Sequence, residues 1–281
     1  MQNLTSKVAV ISGGTSGIGF AIANELAKEG VKLILIGMDQ YKAIRAESEL
    51  KQNGAEVIAL RCDVTKQSEI DNLVEIAYNT FGKVDILVNN AGVGQTGMLH
   101  EITEADWDWI VDVNLKSVFL MSSAFIKQFI KRGDKAHIIN TGSETCFGIP
   151  GKKLGSMFPY VASKHGMLGL SEMMHRDYAE YGIEVSVLCP GAVATEIWDA
   201  ERSRQTEYGE RAASKPRLGE LLHELGMDPN DVGKMAVEGI KRGDFYIITH
   251  SNIRNLIDKR HVEASEALDE TDAWHASNST T

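Results

Sequence analysis

Val8-Ala9-Val10-Ile11-Ser12-Gly13-Gly14-Thr15-Ser16-Gly17-Ile18-Gly19 decides the fold. Four apolar residues, mostly β-branched, have the composition of a short buried strand. They run into a turn spaced Gly13-x3-Gly17-x-Gly19, and residues 18–29 then follow a helical pattern closed by Gly30 as C-cap. A strand, a glycine turn and a helix in this order form the place where a dinucleotide pyrophosphate meets a helix N-terminus. The glycines permit the turn, the close approach of backbone to phosphate, and tight helix packing. The same residues would also make a tight turn that binds nothing; their position after the first strand favours the ligand.

The rest of the chain repeats the rhythm. Further short apolar runs are centred on Leu33-Ile34-Leu35-Ile36, Val57-Ile58-Ala59-Leu60, Ile86-Leu87-Val88, His137-Ile138-Ile139, Val185-Ser186-Val187-Leu188 and Phe245-Tyr246-Ile247-Ile248. Near-continuous apolarity at that length marks strands buried on both faces, as in a parallel sheet. Amphipathic stretches lie between them, including residues 68–81 before Gly82 and 160–181 before Gly182. The expected fold is α/β: a single-domain, doubly wound parallel sheet of about seven strands with helices on both faces. Residues 196–230 break the rhythm and are expected to form a substrate lid. The C-terminal extension, 250–281, is expected to be helical over 253–268 and then frayed.

Composition narrows the function. Lys plus Arg number 29 against 39 Asp plus Glu, a formal charge of −10. That disfavours nucleic acid or an anionic membrane as partner, since phosphate binding relies on clustered basic charge. No run of 18 apolar residues suggests a spanning helix, and residues 1–7 lack a signal-peptide core. Cys62, Cys146 and Cys189 are too few and too far apart for a disulfide framework or a metal site. A cytoplasmic protein with no bound metal is expected.

Later motifs fall at strand ends, where ligands of such sheets bind. They are Asn89-Asn90-Ala91-Gly92, Asn114, Ser143, Tyr160-x3-Lys164 and Pro190-Gly191-Ala192-Val193-Ala194-Thr195. Alone, each has a plain structural reading: Ser143 as a turn or cap, Asn114 as a satisfied amide, Tyr160 and Lys164 as surface helix residues. Together, in this order behind the glycine loop, they point to catalysis. Here the chain resembles the short-chain dehydrogenase/reductase family over residues 5–250. The resemblance implies Tyr160 as acid/base, Lys164 as its partner, Ser143 as the hydroxyl that orients substrate, and Asn114 as anchor of a water-linked proton path. It implies cofactor contacts from Gly13, Thr15, Ser16, Gly17, Ile18, Gly19, Met38, Asp39, Asp63, Val64, Asn90, Ala91, Gly92, Tyr160, Lys164, Pro190, Gly191, Val193 and Thr195, with Asp63 meeting the adenine and Val193 and Thr195 the nicotinamide end. Four residues of helix turn ~400° and rise ~6 Å, so Tyr160 and Lys164 share a face. The ammonium is expected to lower the phenol pKa.

Ser143, Thr145, Phe147, Phe158, Tyr160 and Trp198 are expected to line the substrate pocket. The segment from Ser143 to Tyr160 is a few residues longer than the family commonly shows. At the end of the second strand Gly37 stands where NAD-preferring members carry an acid, and Met38 where NADP-preferring members often carry Arg. Asp39 would repel a 2′-phosphate, so NAD is favoured over NADP. The expected reaction is hydride transfer between the nicotinamide and a bulky hydrophobic or aromatic secondary alcohol or ketone. The alternatives are a 3-oxoacyl thioester reductase and a non-catalytic dinucleotide-binding regulator. The resemblance also implies a homodimer or homotetramer. Asp85 is expected to be a turn residue and Cys189 inert packing. Trp107 and Trp109 are expected to pack a helix, and His165 and His175 to be solvated or packed.

Overall fold

The computed structural model describes residues 1–151, 155–209 and 216–278. Strands β1 (Val8–Ser12), β2 (Lys32–Gly37), β3 (Val57–Arg61), β4 (Ile86–Asn89), β5 (Ala136–Thr141), β6 (Ile183–Cys189) and β7 (Tyr246–Ile248) make one seven-stranded sheet. Its order is β3-β2-β1-β4-β5-β6-β7 and every pairing is parallel. The helices are α1 (Gly17–Lys28), α2 (Gln40–Gln52), α3 (Gln67–Phe81), α4 (Glu104–Val111), α5 (Ser117–Arg132), α6 (Phe158–Tyr178), α7 (Pro216–Leu225), α8 (Pro229–Arg242) and α9 (Arg254–Asn278).

Alternation along β1 divides the core. Ala9 and Ile11 pack with Ile22 and Leu26 of α1 and Val237 and Ile240 of α8. Val8 and Val10 face the other side, with Leu73 of α3 and Met121, Phe125 and Phe129 of α5. Both faces are covered, which is why the strands are mostly apolar on both sides. Strand order reverses between β1 and β4, and the crevice opens above that point.

Three details depart from expectation. Asp85 does more than turn the chain: it is buried, accepts the Val8 N–H at 3.0 Å, and pairs with Lys83 at 3.0 Å and Arg132 at 3.2 Å. It thus ties the start of β4 to β1 and to the end of α5. The C-terminal helix does not stop near 268 but continues to Asn278, with no buried side chain. No Gly or Pro interrupts it, and polarity there marks exposure rather than loss of helix. Finally, Glu104–Arg132 is long and apolar enough by composition to cross a membrane, although no long apolar run marked it. Its large side chains Trp109, Met121, Phe125 and Phe129 are fully buried within the fold, as expected of a core helix.

Candidate active site

The glycine loop faces a cleft of about 810 Å³ and an adjoining hollow of about 440 Å³; both are lined by Gly13, Thr15, Ser16, Ala91 and Gly92. No side chain caps α1 and its first turn holds no acid, so the positive end of the helix dipole is offered to an anion. Gly13 and Gly17 have φ of +61° and +56°. Gly19 serves differently: a Cβ there would stand 2.3 Å from the Gly13 carbonyl oxygen. It lets helix and loop touch and does not line either cavity. Ser12 stitches the loop to β4, since its hydroxyl accepts from Asn90 N–H at 2.9 Å and Ala91 N–H at 3.0 Å. The Asn90 amide donates to Ser12 O at 3.2 Å and Gly13 O at 3.3 Å. The uncapped start of α1 and the close-packed glycine loop fit the diphosphate of a dinucleotide.

The chemistry gathers at the ends of β5 and β6. Ser143 follows β5, and Tyr160 and Lys164 stand in the first two turns of α6. All three line the large cleft. The Ser143 hydroxyl accepts from Thr145 N–H at 3.2 Å and favours the ionised form of the neighbouring Tyr160 phenol. Lys164 Nζ lies 5.6 Å from the Tyr160 ring centre and donates to Thr141 O at 2.7 Å. Asn114 sits in a π-helical turn, Asp112–Lys116, between α4 and α5. Its Oδ1 accepts from Val93 N–H at 2.8 Å, and its Nδ2 donates to Val93 O at 2.9 Å and Ser163 Oγ at 3.3 Å. It is buried beside the cleft and braces the Gly92 turn against α6 rather than lining the cleft.

The electrostatics of this site overturn one expectation. Burial pushes the Tyr160 phenol well above its ordinary value, and only the Ser143 hydroxyl works against it. Burial also pushes the Lys164 ammonium down to about 8. In the free site desolvation therefore outweighs the attraction of the ammonium for a phenolate. Burial raises the Glu144 carboxyl as well.

The pocket walls differ in part from the sequence reading. Thr145 and Trp198 line the cleft, together with Pro150, Met157 and Ile197. Phe147 and Phe158 do not. The Phe147 ring packs on Tyr246 at 5.6 Å, and Phe158 is exposed at the start of α6. The Trp198 ring lies 5.3 Å from that of Tyr160. Pro190, Gly191, Val193 and Thr195 line the same cleft. Their turn is held by His250, unmarked by any local pattern. Gly191 N–H donates to its Nδ1 at 3.1 Å, which leaves Nε2–H for Ala192 O at 3.1 Å. Cys189 is buried on β6, His175 stacks on Phe245, and His165 contacts Arg260. Trp109 is buried while Trp107 is 42% exposed.

Met38, Asp39, Asp63 and Val64 line the smaller hollow. A Cβ on Gly37 would meet Thr15 Oγ1 at 2.8 Å, so an acid at that position would require the Thr15 side chain to shift. Asp39 is exposed and caps α2, accepting from Tyr41 N–H at 2.8 Å and Lys42 N–H at 3.1 Å. Residues 196–208 reach this hollow too, and do not cover only the substrate end as a lid would. Arg202, Ser203, Arg204 and Gln205 line it. Gln205 Nε2 donates to both oxygens of Asp63 at 3.1 Å.

The family described as short chain dehydrogenase matches residues 7–206. The 2-(S)-hydroxypropyl-CoM dehydrogenase 3 of Xanthobacter autotrophicus is 37% identical over 69% of this chain and 74% of its own. A short-chain dehydrogenase/reductase from Burkholderia phymatum, solved in complex with NAD, is 35% identical; the match covers 95% of this chain and 97% of that one, at a TM-score of 0.89. A metagenomic short-chain oxidoreductase in complex with NADP is 28% identical over 88% of this chain and 98% of its own, at a TM-score of 0.69. The fold and these likenesses agree, and the chain belongs to the short-chain dehydrogenase/reductase family.

Proposed function

We propose that the protein transfers a hydride between NAD(H) and a secondary alcohol or ketone with a bulky, hydrophobic body. The observation that carries this reading is the meeting of Ser143, Tyr160 and Lys164 at the rim of the glycine-loop cleft. The nicotinamide supplies or receives the hydride, which no side chain can do. In reduction the Tyr160 phenol gives its proton to the carbonyl oxygen; in oxidation its phenolate takes the proton from the alcohol; Ser143 holds that oxygen beside Tyr160. Lys164 keeps positive charge under the ring. Met157, Ile197 and Trp198 form the apolar wall against which the substrate body packs.

A nicotinamide dinucleotide as cofactor is supported by the family and by the complexes of its members with NAD and NADP. Preference for NAD is supported by Asp39 and by the state of the nearby cations. Glu196 binds Lys42 at 2.6 Å and Arg202 at 2.6 Å, so both are already paired. The test is a panel of ketones and secondary alcohols with each coenzyme, followed by nicotinamide absorbance. NAD(H) should give the higher kcat/KM. Met38→Arg with Asp39→Asn should shift preference toward NADP(H), since Asn still caps α2 while the new Arg meets the phosphate. Tenfold tighter binding of NADPH than NADH by the unmodified protein would overturn the NAD reading.

Self-association into a dimer or tetramer is supported by exposed apolar side chains on α5 and α6, among them Phe119 and Met173. Sedimentation would measure it, and a monomer at micromolar concentration would exclude it.

A further inference from the structure

We propose that Gln205 completes the adenine pocket as a second acceptor beside Asp63, so that the base is read jointly by the turn after β3 and by the segment that carries Trp198. The inference rests on the dinucleotide reading above. The Asp63 carboxylate is buried in the smaller hollow. Its Oδ1 already accepts from Thr65 N–H at 3.0 Å and the Thr65 hydroxyl at 2.7 Å. Its Oδ2 accepts only from Gln205 Nε2 among the described residues. A carboxylate can only accept, so the nitrogen of the Gln205 amide must face it and the amide oxygen must point elsewhere. That oxygen, Oε1, is buried without a hydrogen-bond partner. A buried acceptor left unpaired is costly, and its placement in a ligand hollow calls for a donor from the ligand.

The exocyclic amine of adenine carries two N–H groups. One suits Asp63 Oδ2 and the other suits Gln205 Oε1. A 6-oxo purine would instead turn an acceptor toward two acceptors, so the site should reject it. Gln205 is placed firmly enough to do this. Its neighbour Arg204 is buried, with Nη1 at 2.6 Å from Asp106 and Nη2 at 2.6 Å from Tyr208 O, and stacks at 5.0 Å on Trp109. The Tyr208 hydroxyl donates to Asp112 at 2.8 Å. The same short segment sets Trp198 over the Tyr160 ring, so filling the adenine pocket fixes the wall of the substrate pocket.

The test is calorimetric titration of the full chain with NAD and with nicotinamide hypoxanthine dinucleotide, and with AMP against IMP. The protein should prefer the adenine form in both pairs. Gln205→Leu should lose about tenfold in NAD affinity and about tenfold in preference over the hypoxanthine form. Thr206→Ala, at an exposed position on the same segment, should change neither. Amide exchange of the unmodified protein is an independent readout that needs no variant: AMP should slow exchange over 196–208 as well as at 63–65, and IMP should not. Unchanged affinity and base preference in Gln205→Leu, with NAD still bound, would overturn this inference alone. Tighter NAD binding by that variant would mean that Gln205 occupies the place of the amine, and would overturn it too. Protection by AMP confined to 63–65 would have the same force. Failure of the unmodified protein to bind any dinucleotide would bring down the functional reading along with it.

Discussion

Tyr160 is the residue on which the proposed chemistry turns, and its burial sets the terms. Desolvation keeps the phenol protonated, so the form that can give a proton to a carbonyl is the populated one at neutral pH, while the phenolate that an alcohol needs is scarce. Tyr160→Phe keeps the ring that packs on Trp198 and removes the proton. Turnover should fall by ~10²–10⁴-fold with coenzyme affinity nearly intact, as checked by steady-state rates and a binding titration. Near-normal turnover would remove Tyr160 from its role. Alcohol oxidation needs the phenolate, so its kcat/KM should climb through the alkaline range without a plateau near neutrality. Carbonyl reduction needs the phenol and the charged Lys164, whose ammonium is lowered to about 8. It should be flat below that pH and decline above it. A pH–rate profile in each direction checks both limbs.

At the scale of the element, the segment after β6 behaves as a strap pinned at both ends. Ala194 N–H donates to Met227 O at 3.0 Å, and Met227 N–H to Ala192 O at 2.9 Å, on the turn after β6. Its first half is anchored by Arg204. Burial alone would push the Asp106 carboxyl up, but the Thr103 hydroxyl and the Arg204 guanidinium together hold it below its ordinary value. Arg204→Ala would strand that carboxylate and free the strap, at a cost on the order of 3 kcal/mol. The melting temperature should drop, and amide exchange over 196–208 should accelerate while the strands stay protected. Trp198→Ala removes only the wall over Tyr160. It should raise KM for bulky substrates with little change in melting temperature or NAD affinity. A variant that loses stability and both affinities alike would show Trp198 to be a packing residue instead.

For the whole molecule, the lower end of the sheet holds an acid-sensitive lock remote from the cleft. His137 on β5 is fully buried; burial pulls its pKa below the ordinary 6.5, against the hydrogen bond to Glu184 that would raise it. Its ring bonds Glu184 at 3.1 Å and Ser186 at 2.8 Å. The hydrogen bond from His137 holds Glu184 down at about 2, against the effect of burial and with help from the Met1 ammonium 2.9 Å away. The unfolded chain protonates His137 first, so stability falls as pH drops below about 6.5. Glu184 contributes stability above its ordinary 4.5, and that contribution is lost as pH falls from there toward 2. Urea midpoints measured from pH 7 to pH 3 should therefore decline in two stages. Glu184→Gln should flatten the lower one, and an unchanged decline in that variant would refute the assignment.

Local chemistry made the architecture legible. Short β-branched runs, a glycine turn and helical periodicity are all set within a few residues of one another. Strand count, the parallel sheet and the faces of Tyr160 and Lys164 therefore follow from sequence and from family resemblance. What required the tertiary structure was everything set by residues distant in the chain. The raised Tyr160 phenol depends on burial that several elements impose together. Phe147 turns to Tyr246, a hundred residues away in order of magnitude, which aromatic content alone does not reveal. Gly37 is closed by Thr15 from another turn, and His250 grips Gly191 from beyond the last strand. The reach of Gln205 to Asp63 is the clearest case. Sequence placed one residue in an irregular segment and the other after β3; only the sheet order, with β3 at one edge and the strap crossing over from β6, brings their polar atoms within hydrogen-bonding distance.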